Sequence, residues 1–321
     1  MHRMRAWVMS AVLAATSLPA SAGIADAWFA RSEFGEEPTC VLYGRAAVDS
    51  HTMMRVNIVW TASERALLWL NGRLSGVPGV SVESVGTQDH WNLVFDKLGE
   101  PGYAARHAVI GADDLDKLID NLGRGHGLAI SVPQPQGKPS RYVDEPGDRR
   151  VAVAMYRACV ESMTRDPPPR YSKWPSMYLF QAVDDNQCGF RHIFSDRSFP
   201  PYITLWVDST QGRIAIERQV IEATSHGEVK RRRKTPDRVN AEALFGTRFD
   251  LVEHFDYELT MPQVDAIAAD LERGAERKVV MTSPEGESLI LQFGGIYAKA
   301  SAAMLAACRE VKFGTLETAK Q

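Results

Sequence analysis

Three groups of residues in this chain have the types and spacing to do chemistry. The first is a set of four cysteines, in which Cys40 and Cys159 lie 119 residues apart and Cys188 and Cys308 lie 120 apart. They form no C-x-x-C pair, so in an oxidising compartment they read as structural disulfides rather than as a redox or zinc centre. The second is Lys230-Arg231-Arg232-Arg233-Lys234, five consecutive cations between Glu228 and Arg238. Such a run attracts an acidic partner, the phosphates of a membrane surface or an anionic glycan, and it is the candidate partner-binding site, read here as a connecting loop. The third is a scatter of acids and imidazoles. Asp184-Asp185-Asn186 precedes Cys188, and Asp113-Asp114 precedes an apolar stripe, but neither has the alternating oxygens, Gly and distal Glu of a calcium loop. Both read as a solvated turn or the acidic start of a helix.

His51, His90, His107, His126, His192, His226 and His254 stand singly, and none has a second ligand at metal-binding spacing. Gly125-His126-Gly127, directly after a helix, reads as a surface or capping segment. The chain has no H-E-x-x-H, no G-x-S-x-G and no G-x-x-x-x-G-K-[ST]. No catalytic, cofactor-binding or metal residue is therefore nominated, no cofactor is expected, and an enzyme is not expected. Trp60, Trp69, Trp91 and Trp206 occur in apolar, β-type runs and read as core.

The elements that must hold these residues are written twice. Sliding the chain against itself superposes Asp116, Leu122, Arg124, Gly125, Pro135, Gly137, Ala154, Met155, Ala158 and Cys159 on Asp265, Leu271, Arg273, Gly274, Pro284, Gly286, Ala303, Met304, Ala307 and Cys308. The apolar period repeats too. Leu115, Leu118, Ile119 and Leu122 form one helical stripe, and Val264, Ile267, Ala268 and Leu271 form its counterpart. Thr260 and Gln263 supply a capping box, and Gly125 and Gly274 sit where a helix ends in a left-handed residue. A short β run follows each, Leu128 to Val132 or Lys278 to Met281, then a Pro-x-Gly turn, and in the second copy a returning strand from Leu289 to Phe293. Further strands are expected over Arg55 to Trp60, Ala66 to Leu70, Tyr202 to Val207 and Arg213 to Arg218.

A last helix in each copy carries a cysteine on its apolar face, with Ala152, Met155, Tyr156 and Cys159 in one and Ser301, Met304, Leu305 and Cys308 in the other. Four cysteines allow three pairings. Only Cys40 with Cys159 and Cys188 with Cys308 lets both copies fold as the same object. Each bridge then contributes about 4 to 5 kcal/mol in the chain-entropy treatment of so long a loop.

Composition and charge narrow the class. With 45% hydrophobic and 24% charged residues the chain can bury a core, and a formal net charge of -3 predicts no global attraction to nucleic acid. Residues 1–22 have the form of a signal peptide: Arg3 and Arg5, the uncharged run Ala6 to Ala15, then Ala20-Ser21-Ala22 before Gly23. That run is short of the roughly 20 residues a spanning helix needs. The expected organisation is an α+β protein of two tandem similar domains, 23–163 and 177–321. They are joined by a linker over 164–176 that contains Pro167, Pro168 and Pro169. Each domain would be an antiparallel sheet with two helices and one disulfide.

Leu291-Gln292-Phe293-Gly294-Gly295, followed by Ala300, Ala303 and Ala307-Cys308, resembles the ending of small secreted Gram-negative domains of the type VI secretion accessory (TagO/VasI) kind. That resemblance implies a binding or assembly role and no catalytic residue. The expectation is an exported periplasmic protein-interaction module, an envelope assembly or secretion accessory, whose partner is another envelope or secreted protein. The alternatives are an immunity or inhibitor protein against a toxic envelope-directed enzyme, or an envelope hydrolase whose Ser, His and Asp converge only in the fold.

Overall fold

Alternation decides where the core lies. In the computed structural model, which describes residues 28–34, 38–48, 52–61, 63, 66–72, 74, 77–95, 105–134, 136–166, 176–181, 187–194, 202–223, 229–234, 238–240, 256–274, 277–282, 288–293 and 296–314, the first half opens with four antiparallel strands. These are β1 (Phe29–Phe34), β2 (Pro38–Ala47), β3 (Met53–Thr61) and β4 (Ala66–Asn71). Among their even-numbered residues Cys40, Leu42, Met54, Val56, Ile58, Leu68 and Leu70 are buried. One face of the sheet is thus core, as the period of two requires.

β5 (Gly79–Val85), β6 (His90–Val94), β7 (Ala105–Val109), helix α1 (Ala112–Gly123), β8 (Gly127–Val132), β9 (Ser140–Asp144) and helix α2 (Arg150–Arg165) complete the first half. The strands form two runs, β7-β4-β3-β2-β1 and β9-β8-β5-β6, joined by a bridge between Ala47 and Val143. The second half contains β10 (Ser176–Gln181), β11 (Cys188–Phe194), β12 (Tyr202–Val207), β13 (Gln211–Ala223), β14 (Val229–Lys234), β15 (Arg238–Asn240), β16 (Asp256–Thr260), helix α3 (Met261–Glu272), β17 (Arg277–Thr282), β18 (Ser288–Phe293) and helix α4 (Ile296–Phe313). Its runs are β10-β11-β12-β13-β16 and β15-β17-β18.

The halves meet edge to edge. β1 pairs antiparallel with β10, Arg31 opposite Leu179 and Glu33 opposite Met177, so the two five-stranded runs form one continuous sheet. The register carries Cys40 and Cys188 onto the same face. There α2 packs on β1 and β2, α4 packs on β10 and β11, and the two helices pack on each other. Cys40 is bonded to Cys159 and Cys188 to Cys308, each with its Cα atoms 5.9 Å apart. This is a mixed α+β fold with an antiparallel sheet, four helices among the described residues, and two strand-to-helix disulfides.

The helices obey the local chemistry that predicts them. Leu115, Leu118, Ile119 and Leu122 are buried on α1, and Val264, Ile267 and Leu271 on α3. Asp113 and Asp114 occupy the first turn of α1. Gln263 Oε1 accepts the Thr260 backbone N–H at 2.8 Å. Gly125 and Gly274 follow the helix ends with φ of 87° and 66°, a region side chains avoid, which is why glycine stands at both. No helix among the described residues is long and apolar enough to cross a membrane. Residues 1–22 and most of 164–176, including the three prolines, lie outside the described residues.

Candidate functional site

On the outer face of the first five-stranded run, apolar side chains open to solvent. Across β1, β2, β3, β4 and β7, Phe29, Tyr43, Asn57, Trp69 and His107 stand directly opposite one another in a row. The adjacent row is Arg31, Val41, Val59, Leu67 and Val109. Phe29 stacks on Tyr43 with ring centroids 4.6 Å apart, and the Arg31 guanidinium sits 5.8 Å from the Tyr43 ring. Those contacts bury the β1–β2 end of the rows. Toward β7 the rows open: Trp69 is 44% exposed, Val109 is 59% exposed, and Met53, on the same face of β3, is 47% exposed.

Trp69, and Trp206, which stands half-buried between the inward-facing Leu205 and Val207, therefore correct the sequence reading that placed both in the core. Trp91 on β6 is buried and Trp60 packs against the core from a partly buried position, as expected. The run Ala66-Leu67-Leu68-Trp69-Leu70 is apolar at every position, so it carries no alternation from which a face could be read. Only the register, with Leu68 and Leu70 buried, assigns Trp69 to the outside.

The second half supplies an internal reference for this face. Tyr43 and Arg191 each lie three residues after their strand cysteine. The pairings then place Leu179, Arg191, Thr204, Ala215 and Asp256 in the row equivalent to Phe29, Tyr43, Asn57, Trp69 and His107. The next row is Gln181, Gly189, Trp206, Arg213 and Glu258. Where the first half carries Leu67 and Val109, the second carries the cross-strand pair Arg213 and Glu258, both exposed. The scaffold does not demand an apolar outer face, yet the first half has one.

The basic run lies elsewhere, in a different form from the expected loop. Val229–Lys234 is strand β14, hydrogen-bonded along the far part of β13 with Arg218 opposite Lys234, Gln219 opposite Arg233, Val220 opposite Arg232, Ile221 opposite Arg231 and Glu222 opposite Lys230. Lys230, Arg231, Arg232, Arg233 and Lys234 all belong to this strand. Pairing along the chain of β13, rather than the intrinsic preference of five cations, makes it extended.

Two polar constellations hold the loops around α1 and the start of α2. Arg149, buried at the start of α2, donates to Asp144 Oδ2 at 2.6 Å, to the Gly147 and His126 carbonyls at 3.0 and 3.3 Å, and to the Glu145 carbonyl. Trp28 Nε1 donates to the same Asp144 oxygen at 2.8 Å, and its ring lies over Gly44, where a Cβ would come within 2.2 Å of it. Burial raises the Asp144 carboxyl above the ordinary value against the opposing pull of Arg149 and Trp28. The guanidinium donates along three backbone carbonyls and one carboxylate, so its role is to fix the 144–149 segment against the end of α1.

In the second constellation Asp89 accepts from Asn121 Nδ2 at 2.8 Å, which lowers the carboxyl pKa and pins the β5–β6 turn to α1. His126 lies beside that turn and donates its backbone N–H to the Asn121 carbonyl at 3.0 Å, the capping position expected. Among the described residues no group of three His, Cys, Asp or Glu is placed to hold a metal ion. Asp184-Asp185-Asn186, His51, His226 and His254 lie outside the described residues. A scan against protein-family models and searches of curated proteins and of solved structures found no match to the chain.

Proposed function

We propose that this chain is an exported periplasmic protein-interaction module, an envelope assembly or secretion accessory. In this reading two similar units arose by duplication and fused through β1 and β10. The first unit's outer face docks another envelope or secreted protein. The observation that carries the reading is the asymmetry of the two outer faces at their open ends: Leu67, Trp69 and Val109 in one unit stand where the other has Arg213, Ala215 and Glu258, although Trp206 stands on the second face where the first has Val59.

Contiguous exposed apolar side chains around an aromatic are what a protein partner desolvates, and a half-exposed Trp is the residue type most often found at the energetic centre of an interface. Among the described residues β7, beside Trp69, has β4 as its strand partner, so a partner that covers the face also lies next to a sheet edge. The signal-like first 22 residues and the two disulfides support export to an oxidising compartment.

The test is photo-crosslinking in the cell of origin. A photoreactive residue placed at Trp69 or Val109 should give one discrete adduct with a second protein, and the same residue at Ala215 should give none. Equal adducts from both positions, or none from either, would remove the basis for the proposal.

A further inference from the structure

The outer face of the first run carries charge as well as apolar surface. One row beyond Phe29, Tyr43, Asn57, Trp69 and His107, the register sets Arg45, Arg55, Asn71 and Ala105 opposite one another across β2, β3, β4 and β7. Arg45 and Arg55 form a directly opposed like-charge pair, and Arg55 and Asn71 are exposed. Arg45 Nε lies 3.5 Å from the Tyr43 hydroxyl, and neither guanidinium meets a carboxylate among the described residues. The five strands contain one acid, Glu33, which stands opposite Thr39 at the other end of the face, about 20 Å along β2 from Arg45.

Like charges directly opposite weaken an antiparallel pair. Elsewhere in the first half exposed arginines have acids: Arg141 meets Glu83, Arg150 meets Asp148, Arg157 meets Asp120 and Arg165 meets Glu161. Arg45 and Arg55 lack that relief, and the scaffold does not require them. The equivalent positions of the second half hold Ile193 and Tyr202, with Glu217 where the first half has Asn71. Arg55 lies four residues along β3 from Val59, and Asn71 four along β4 from Leu67, so the basic row and the apolar row of Val59, Leu67 and Val109 run about 13 Å apart, with Trp69 between them. That separation is close to the diameter of one α-helix with its side chains, about 10–12 Å.

We infer that the segment which docks on this face is an acidic amphipathic helix of a protein, its apolar stripe on Leu67, Trp69 and Val109 and its flanking carboxylates on Arg45 and Arg55. The inference rests on the docking reading of this face and adds the chemistry of the partner. Three other occupants fail on the same observations. A lipid surface takes side chains that project from a rim, whereas Trp69 is 44% exposed and Leu67 half-buried in the middle of a strand, and a twisted five-stranded face cannot lie flat on a bilayer. An anionic glycan would satisfy the arginines but leave its hydroxyls unpaired over Leu67 and Val109. A second copy of the chain would bring another set of arginines to a face whose strands hold a single acid.

The experiment titrates a fluorescent helical peptide of about five turns, with a leucine stripe flanked by glutamates, into the full chain with its disulfides formed, at low and at physiological salt. The same peptide with glutamine for every glutamate, vesicles of phosphatidylglycerol with phosphatidylcholine, and polygalacturonate are titrated beside it. The glutamate peptide should bind about tenfold more tightly than the glutamine peptide, from the sum of two exposed pairs, and the advantage should shrink as salt rises. Arg45→Gln/Arg55→Gln should bring the glutamate peptide to the level of the glutamine peptide, Arg45→Lys/Arg55→Lys should keep most of the difference, and Arg213→Gln in the second half should change neither. Trp69→Ala should weaken both peptides alike, and circular dichroism of every variant should match the parent. Equal affinity for the two peptides, with both weakened by Trp69→Ala, would overturn the acidic partner and leave the docking reading standing. Affinity indifferent to Trp69→Ala would remove the docking reading and this inference with it. Binding of neither peptide, tighter binding to the vesicles or to polygalacturonate, or dimers in light scattering that Trp69→Ala dissolves would each overturn the inference.

Discussion

The two halves solve the same packing problem with different interiors. Counting back from the helix cysteines, Arg149 and Asp144 of the first half correspond to Ala298 and Phe293 of the second, and Trp28 corresponds by strand register to Tyr178. One unit thus holds a buried ion pair that fastens four backbone carbonyl and carboxylate groups, and the other places a buried Ala298 at the equivalent start of its last helix. The disulfides, the helix-terminating glycines and the order of the five-stranded runs are the same in both. The difference teaches that the sheet, the last helix and the bridge between them are the common requirement. The polar clamp, the apolar outer face and the basic strand β14 each belong to one half, and features of that kind are the ones to examine for function.

The two halves share their strand-to-helix disulfides, and the largest effects are expected there. Replacing Cys40 and Cys159 by Ala should cost about 4 to 5 kcal/mol, and replacing Cys188 and Cys308 should cost the same within about 1 kcal/mol, because the closed loops are equal in length. Urea unfolding of both variants checks this, and a large inequality would mean that the two bridges do not do equivalent work.

Next in size is the clamp. Arg149→Ala strands Asp144 in a buried site and leaves the carbonyls of His126, Gly147 and Glu145 without their donor, at a cost of about 3 kcal/mol. Asp144→Ala, which leaves the guanidinium its three carbonyls, should cost less. If Arg149→Ala unfolds no more easily than the parent, the clamp is dispensable even in the half that has it.

The smallest effect is in acid. Asp148 accepts the Arg150 backbone N–H at 3.0 Å and the Arg150 guanidinium at 2.7 Å, and these hydrogen bonds pull its carboxyl from 3.8 down to about 2. A folded-state value below the unfolded one adds stability above about pH 4 and loses it as pH falls toward 2. Asp148 is largely exposed, so Asp148→Asn should remove at most about 0.5 kcal/mol at neutral pH and flatten the acid limb of the stability curve. Thermal melts from pH 2 to 5 read the difference.

What the sequence makes legible is local or symmetric. The capping residues at Thr260 and Gln263, the glycines at 125 and 274 and the two apolar helix stripes are set by chemistry within one turn of chain, and the cysteine pairing follows from the repeat. The long-range pairings are not legible. Nothing in Phe29–Phe34 or Ser176–Gln181 marks each as the other's edge partner, because any two extended segments can pair and the choice is made by the helices packed beneath them. Trp69 is hidden by neighbours as apolar as itself. Lys230 to Lys234 reads as a loop because cations disfavour strands, and it is the partner strand, with Val220 and Ile221 opposite Arg232 and Arg231, that makes it extended.

In the proposed function the first half's outer face, and not its counterpart, meets a protein. The most direct measurement is the affinity of the partner captured at Trp69 for the parent chain, for Trp69→Ala and for Trp206→Ala, with unfolding curves taken on the same samples. Loss of a central aromatic should weaken binding by at least about thirtyfold, some 2 kcal/mol, with Trp206→Ala within twofold of the parent. Equal weakening by both substitutions, or none by Trp69→Ala while the fold is intact, would contradict it.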